Sequence, residues 1–382
     1  MPAILFFNRL SIRSNGIVKL YLATYIILST ALFIFKVKKV KGLLAENPEA
    51  NVEEVVIPSM ELIPTSVVYN PWVFLSATYT ESNVFQYAAG LFILYYGVRY
   101  CEKSWNYNNN NNVNIEEKPS TLFGSETVVY LSITGILTNF TTVLNYIVIA
   151  SFVQDKSVLL SRPIKHGILS ILMSFIVVLK QFSPEHDLKF FKGKIQFRVK
   201  QLAFLILTLS ALASIVFKSL TPFFPITNNF FIAWYYLRFI QSTNLNNEPI
   251  LPTMTSSSNA SGNANGGGSN PITTASERRI RGDASDTFAF IQFFPDFLKP
   301  YLRPVIDFLY KIFSTLGLVH NFNADEVETG NLRAIKRISV LGVGGGNSGN
   351  NSANSAAERR RQLALKVLEE RVGGAKDIES ER

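Results

Sequence analysis

One histidine and one serine of this sequence are spaced so that they could act together in hydrolysis, because an imidazole can take the proton of a hydroxyl group. His166 and Ser170 are four residues apart and would share one face of a helix. The sequence supplies no evident third group to orient the imidazole and no evident donors for an oxyanion. We therefore interpret His166 as an ordinary interfacial histidine. His186 and His320 lie in a basic connection and in the polar C-terminal region.

The sequence contains no residue pattern typical of a metal site or of a cofactor-binding site. A single cysteine, Cys101, excludes an internal disulfide framework and any cysteine-based zinc site. No glycine-rich phosphate loop precedes a helix, and no relay of Asp, Glu and His crosses the apolar segments as a proton-coupled carrier would require. The formal net charge is +9, but basic and aromatic residues do not interleave in a soluble domain, so we expect no nucleic-acid partner. We predict no metal and no cofactor.

The elements that position these residues are apolar stretches between residues 17 and 240. Six stretches approach the length of about 20 residues that a membrane-spanning helix needs. They are 17–35, 84–98, 127–152, 164–182, 202–217 and 223–240. Each is predicted to be a helix, because backbone groups in lipid must be hydrogen-bonded internally. The third stretch carries polar residues that we interpret as contacts between helices, namely Thr134, Thr138, Thr141, Thr142 and Asn145.

The predicted fold class is an all-α membrane protein with a six-transmembrane helical bundle at 17–240, after a cytosolic N-terminus at 1–16. The basic hairpin at 180–200 favours a cytosolic location for both termini, whereas the lysine cluster at 36–41 argues against it. Hairpin residues that could contact membrane lipids are Lys189, Lys192, Lys194, Arg198 and Lys200. The alternative is that the hairpin only sets topology.

The region from 241 to 382 is polar, and we predict a largely disordered cytosolic tail with low-complexity linkers and short helices. Residues 288–316 are aromatic-rich and are predicted to form one or two short amphipathic helices, with breaks at Pro295, Pro300 and Pro304. Residues 357–372 have helical spacing and would form either a solvated helix or a partner-binding helix. The candidate interaction residues of the tail are Phe293, Phe294, Arg359, Arg360 and Arg361.

Several blocks follow one another along the chain, outside its low-complexity inserts. They include PWVFLSAT at 71–78, RYCEKSW at 99–105, KQFSPEH at 180–186, WYYLRF at 234–239, RGDASDTFAF at 281–290 and ERRRQLALK at 358–366. In this order they resemble the transmembrane protein 115 family, which are rhomboid-like membrane proteins of the Golgi. The resemblance implies a rhomboid-like helical bundle.

The resemblance also indicates which protease residues to look for. A rhomboid protease carries its serine in a Gly-x-Ser-Gly motif at the start of the fourth span and its histidine in the sixth. The fourth span here has a different spacing at 167–170, and the sixth offers Asn228, Asn229 and Trp234 instead of a histidine. A literal Gly-x-Ser-Gly match at 346–349 lies in a low-complexity stretch, where such a string arises by chance. We therefore predict no catalytic residue and no enzymatic activity.

The family likeness further implies a role in Golgi organisation and in retrograde transport from the Golgi to the endoplasmic reticulum. A Golgi tethering or coat complex would be recruited by the cytosolic tail, and a homo-oligomer is left open. The expected location is the Golgi membrane, with the endoplasmic reticulum as a further residence. The alternative functions are a pseudoprotease chaperone that binds membrane clients or lipids, and an active intramembrane serine protease.

Overall fold

The computed structural model describes residues 16–46, 55–110, 125–153, 156–183, 187–190, 195–244 and 279–340. The helices are α1 (Gly16–Glu46), α2 (Val73–Ser76), α3 (Val84–Asn110), α4 (Glu126–Ala150), α5 (Lys156–Ser161), α6 (Leu169–Phe182), α7 (Val199–Phe217), α8 (Phe223–Tyr235), α9 (Lys299–Thr315) and α10 (Ala324–Val340). The strands are β1 (Asp187–Phe190), β2 (Ile195–Arg198), β3 (Ser242–Asn244) and β4 (Arg279–Arg281). Short 3₁₀ turns occupy Ala77–Tyr79, Asp286–Phe288 and Phe290–Phe293, and a π turn at Tyr236–Ile240 extends α8.

A helix occupies each of the six apolar stretches, which confirms that they are helical. Among the described residues three helices, α1, α4 and α7, are long and apolar enough to cross a bilayer, and α6 is a shorter apolar helix. The helix of the fourth stretch begins at Leu169 and not at residue 164, because Gly167 adopts a positive φ of 42°, which interrupts a right-handed helix. The prediction that these stretches form helices is correct, whereas α1 and α3 continue to Glu46 and Asn110, well past the predicted ends at residues 35 and 98.

Helix α6 lies at the centre of the bundle and contacts α3, α4, α7 and α8. Its apolar residues point in every direction, as expected for a helix with no exposed face. Ile171, Met173, Val177 and Val178 are all fully buried. The approach of α3 requires a small residue, since a Cβ atom on Gly97 would lie 2.6 Å from the ring of Phe175.

The all-α prediction needs one correction, because two pairs of short antiparallel strands are present. In the basic hairpin, β1 pairs with β2, with Asp187 opposite Arg198. Polar and apolar residues alternate in both segments, and this period of two favours strands over helices. In the second pair, β3 lies against β4 with Ser242 opposite Arg281, so the end of the sixth apolar stretch is joined to the tail.

The described part of the predicted tail is folded. Pro300 stands in the first turn of α9, where its missing N–H group costs nothing, and Pro304 lies inside the helix without ending it. The predicted break at Pro304 is therefore wrong, and a single helix of 17 residues forms. The linkers and the C-terminal periodic segment at 357–372 lie outside the described residues.

Candidate functional site

The pair His166 and Ser170 is buried, but its polar atoms are directed at other partners. The Nδ1 and Nε2 atoms of His166 lie 2.9 Å from the carbonyl oxygen of Ile164 and 2.6 Å from Oδ1 of Asn139. The hydroxyl of Ser170 donates to the carbonyl oxygen of Gly167 at 2.8 Å. The expectation that nothing orients the imidazole is therefore wrong, since Oδ1 of Asn139 and the Ile164 carbonyl oxygen both lie within hydrogen-bond distance of the ring, and a neutral imidazole donates to one of them.

Asn139 of α4 connects three elements of this cluster. Its Nδ2 atom donates to the carbonyl oxygen of Phe74 at 2.7 Å and to Oγ1 of Thr78 at 2.9 Å. Because Nδ2 is used as a donor, the atom of Asn139 that faces His166 is an acceptor, and the contact is a hydrogen bond in the tautomer that carries its proton on Nε2. A ring nitrogen that donates cannot also take a proton from a serine. The arrangement fixes the connection that contains α2 against the bundle.

A second serine of α6 contacts the sixth apolar stretch. Asn229 of α8 donates from Nδ2 to Oγ of Ser174 at 2.9 Å and to Oγ1 of Thr138 at 3.1 Å. Its Oδ1 atom accepts the backbone N–H of Ser174 at 2.7 Å. An amide nitrogen has no available lone pair near neutral pH, so Asn229 cannot act as a general base for Ser174. The contact joins α4, α6 and α8 by structural hydrogen bonds.

The other polar residues of α4 divide into two groups. Asn145 donates to Oδ1 of Asn228, and Asn228 donates to Oγ1 of Thr142, at 3.2 Å in each case. The prediction of contacts between helices is thus confirmed for Thr142 and Asn145, which bond to Asn228 of α8. Thr134 and Thr141 instead donate to carbonyl oxygens one turn earlier in their own helix.

Glu81 is a buried carboxyl group in the connection that precedes α3, outside the helices. Its Oε1 atom accepts the backbone N–H of Ile168 at 2.9 Å, just before α6 begins. A side chain on Gly167 would collide with the Glu81 carboxyl group, which explains the glycine at this position. Burial disfavours the charged carboxylate and raises the pKa of Glu81 to about 7.

Within the described ranges, no group of three or more His, Cys, Asp or Glu side chains comes together to hold a metal ion.

We expect the stability of the protein to fall as the pH rises from about 5 to about 8 because Glu81 loses its proton. Between the usual value of 4.5 and its raised pKa of about 7, the folded chain retains a proton that the unfolded chain has released. This stabilising contribution is therefore complete at low pH and is lost as the pH passes 7, by up to about 3 kcal/mol. Thermal unfolding in detergent across this range should show a slope for the natural chain that is mostly absent from Glu81→Gln. Equal slopes in the two proteins would rule out Glu81 as the source.

The aromatic part of the tail, residues 279–294 (the docked segment), packs against the membrane helices. Phe288 and Phe293 are each 1% exposed and join the same apolar core as Phe230 of α8. The rings of Phe293 and Phe230 meet edge to face, with 5.2 Å between their centroids. The indole N–H of Trp234 donates to the carbonyl oxygen of Phe288 at 3.2 Å. The docked segment therefore completes the core at one end of the bundle.

Hydrogen bonds beyond the end of α8 fix the position of the docked segment. Arg238 donates from Nη1 to the carbonyl oxygens of Asp283 and Ser285, at 2.6 Å in both cases. The carboxylate of Asp283 accepts from Nε2 of Gln181 at 3.1 Å. Sequence reasoning placed Arg238 at the end of a span and missed this contact. The signal that could have found it is the pairing of a basic residue at a span end with an acidic residue in the aromatic block.

Lys180 lies beneath the docked segment at the end of α6. Its side chain is 2% exposed, and its Nζ atom lies 3.5 Å from the centre of the Phe293 ring. No hydrogen-bond partner for this ammonium group occurs among the described residues. The aromatic face of Phe293 is therefore its closest favourable contact, as a cation–π interaction.

The predicted lipid-contacting residues of the hairpin are only partly described. Lys189 lies in β1 and Arg198 ends β2. Lys200 forms an ion pair with Asp296, at 3.8 Å between Nζ and Oδ2, while Lys299 approaches the other carboxylate oxygen at 2.6 Å. The hydrogen bond from Lys299 and the charge of Lys200 lower the pKa of Asp296. Lys192 and Lys194 lie outside the described residues, and contact of the hairpin with lipid stays a prediction.

The predicted interaction residues of the tail occupy different environments. Phe293 is buried, and Phe294 packs against Phe204 of α7 with 5.9 Å between ring centroids. Both side chains thus contact helices of their own chain; a partner would reach Phe293 only if the docked segment moved, whereas Phe294 is half-buried. Arg359, Arg360 and Arg361 lie outside the described residues, and their role stays a prediction.

Comparisons with known proteins extend over both the helices and the docked segment. The family model described as eukaryotic integral membrane protein (DUF1751) matches residues 19–110 and 121–374. The Transmembrane protein 115 homolog of Saccharomyces cerevisiae is 28% identical over 365 residues, which cover 93% of this chain and 92% of that relative. Rhomboid-like protein 19 of Arabidopsis thaliana is 23% identical over 318 residues, covering 83% of this chain and 81% of that relative. No solved structure matches the chain.

Proposed function

Because this chain belongs to the transmembrane protein 115 family, whose family model is that of eukaryotic integral membrane proteins (DUF1751), we propose that it is a non-catalytic rhomboid-like protein of the Golgi membrane. In this proposal six helices cross the bilayer and both termini face the cytosol. The tail recruits a tethering or coat complex for Golgi organisation and for retrograde transport to the endoplasmic reticulum. The cellular part of the proposal derives from the family likeness.

The contact between Asn229 and Ser174 carries the non-catalytic part of the proposal. The sixth apolar stretch meets the central helix α6 through an amide group that cannot accept a proton. His166, four residues before Ser170, has its Nε2 atom 2.6 Å from Oδ1 of Asn139 and directed away from a serine hydroxyl. Serine hydrolysis needs a base within hydrogen-bond reach of the nucleophile, and neither arrangement supplies one.

The docked segment supports the recruitment part of the proposal. A tail joined to the bundle only at residue 241 would sample a large volume, which raises the entropic cost of binding a partner. Here Arg238 and the buried Phe288 hold the chain again at 283–288, so α9 and α10 start from a fixed place on the bundle. The surface of 295–340 and the residues beyond it would then face a cytosolic partner in a limited set of orientations.

Replacing Arg359, Arg360 and Arg361 together by alanine should weaken recruitment while leaving the helical core intact. We expect a several-fold loss of cross-linked tethering or coat factors recovered with the full-length chain, and a slower return of a Golgi reporter to the endoplasmic reticulum. Lys336→Ala together with Arg337→Ala, in α10, is the control for removing basic side chains from the tail. Unchanged recovery and unchanged reporter transport would contradict recruitment through the tail.

The same proteins distinguish the alternative functions. A chaperone for membrane clients would keep its client cross-links to the helices when the three arginines are replaced. A protease would cleave a model transmembrane substrate in proteoliposomes, and Ser170→Ala or Ser174→Ala would abolish the cleavage. We expect no cleavage by the natural chain, and cleavage lost in either variant would overturn the non-catalytic proposal.

A further inference from the structure

We propose that α9 lies in the membrane surface as an interfacial amphipathic helix, with its apolar face buried in lipid on the side where the tail leaves the bundle. The proposal uses only the membrane location of the bundle and is independent of the Golgi role. It assigns a lipid-binding function to residues of the tail that were predicted to be soluble.

The residue pattern of α9 separates an apolar face from a polar face. Apolar side chains recur at helical spacing and fall within an arc of about 160°. They are Tyr301, Leu302, Val305, Ile306, Phe308, Leu309, Ile312, Phe313 and Leu316. The opposite face carries Lys299, Arg303, Asp307 and Lys311. Three basic residues against one acidic residue on the polar face suit a surface of anionic head groups.

Most of the apolar face of α9 is exposed within the described part of the chain, and only Leu302 and Ile306 of that face are half-buried. The helix contains no buried residue, and Phe308 and Leu316 are 64% and 65% exposed. A continuous apolar stripe of this size is unusual on a surface that faces water, and it indicates either a membrane or a protein contact. In lipid the same stripe is buried without any rearrangement of the fold.

The position of α9 favours lipid over a water-soluble partner. Phe297, just before the helix, is 69% exposed and lines a cavity of about 430 Å³ together with Phe204 and Leu205 of α7. The outer face of α7 is apolar and unshielded, as expected where a spanning helix faces lipid, with Leu209 62% exposed. The apolar surface of α7 therefore continues through Phe297 onto α9.

The charges at this junction place it near the level of the head groups. Lys200 of α7 and Lys299 of α9 both approach the exposed carboxylate of Asp296. Such groups are costly in the hydrocarbon region but are stable at its boundary. With 17 residues, α9 is only about 25 Å long and carries charges along its length, so it would lie in the surface and would not cross the bilayer.

Site-directed fluorescence on the full-length chain in lipid nanodiscs that hold one copy tests the proposal. The only native thiol, Cys101, is buried, so an introduced cysteine is labelled selectively and the unsubstituted chain is the labelling control. Phe308→Cys places the fluorophore on the apolar face, and Asp307→Cys is its neighbour on the polar face. Brominated phospholipid should quench the first several-fold more than the second, and aqueous iodide should show the reverse order.

The other outcomes of the quenching experiment would contradict the location of α9 in the membrane surface. Equal quenching by iodide at both positions would mean that α9 lies in water. Protection of Phe308→Cys from iodide without quenching by brominated lipid would mean that protein covers the apolar face. In discs with one copy, the cover would be another segment of the same chain. Protection that appears only in discs with two copies would mean that a second chain covers it. Ile312→Cys and Lys311→Cys repeat the comparison one turn later, so the result does not rest on one substitution.

Discussion

Gly282→Ala should release the docked segment from the bundle, whereas Gly317→Ala should leave it in place. Gly282 has a φ of +76°, and a side chain there would collide with the backbone carbonyl oxygen of Arg238. Gly317 has a similar φ of +72°, but an added Cβ atom would meet nothing within 4 Å. Both substitutions incur the cost of a left-handed backbone, about 1–2 kcal/mol. Only the change at Gly282 also forces two backbone segments apart.

The difference between the two variants therefore isolates the close contact between Gly282 and Arg238. The N–H of Gly282 donates to the carbonyl oxygen of Gln241 at 2.6 Å, and this bond is lost when the backbones separate. We expect Gly282→Ala to be less stable than Gly317→Ala by at least about 2 kcal/mol in detergent. Hydrogen exchange of residues 286–294 should accelerate strongly in the first variant only. Similar exchange in both variants would mean that backbone conformation, and not contact with the bundle, holds the segment.

The apolar stretches could be predicted from sequence because a spanning helix is specified by local composition. Length and hydropathy alone located the first residues of the helices that begin at Gly16, Val84, Glu126 and Val199 to within a few residues, whereas the first two helices extend well past the predicted ends. The start of α6 was misplaced because it depends on a contact with a distant residue. Glu81 binds the N–H of Ile168, and this contact stabilises a non-helical turn that local composition does not reveal.

The polar cluster could be predicted only as a set of residue types. The threonines and asparagines of α4 indicated contacts between helices, but the partners depend on how the helices are rotated in the bundle. The pairing of Asn139 with His166 and that of Asn229 with Ser174 arise from helix packing. A periodic pattern within one segment contains no information about such contacts.

The docked segment was misassigned because its apolar residues match no regular period. Phe288, Phe290 and Phe293 lie on 3₁₀ turns, where spacing differs from that of a helix or a strand, and Phe294 follows the second turn. Their partners are more than 50 residues away in sequence, as in the contact of Phe288 with Trp234. Burial of this segment against the bundle could have been inferred from its composition. It is an aromatic cluster in an otherwise polar tail and is too short to span a membrane.

Phe293→Ala should destabilise the folded protein by about 3–5 kcal/mol, because it removes a fully buried ring and leaves a cavity between the docked segment and the helices. The ring contacts Phe230 and also covers the ammonium group of Lys180. Phe297→Ala is the matched control, since Phe297 is 69% exposed and its loss from the folded state should cost less than about 0.5 kcal/mol. Unfolding in detergent followed by circular dichroism measures both changes.

A double-mutant cycle with Lys180→Met separates the cation–π interaction from the loss of apolar packing. Lys180 is a buried cation without a hydrogen-bond partner among the described residues, so a methionine of similar length should be tolerated or should stabilise the protein. In that background Phe293→Ala loses packing alone, and its cost should be smaller by about 1–2 kcal/mol. An equal cost in both backgrounds would mean that the ring does not stabilise the charge. A strongly destabilising Lys180→Met would contradict the view that this amino group is costly to bury.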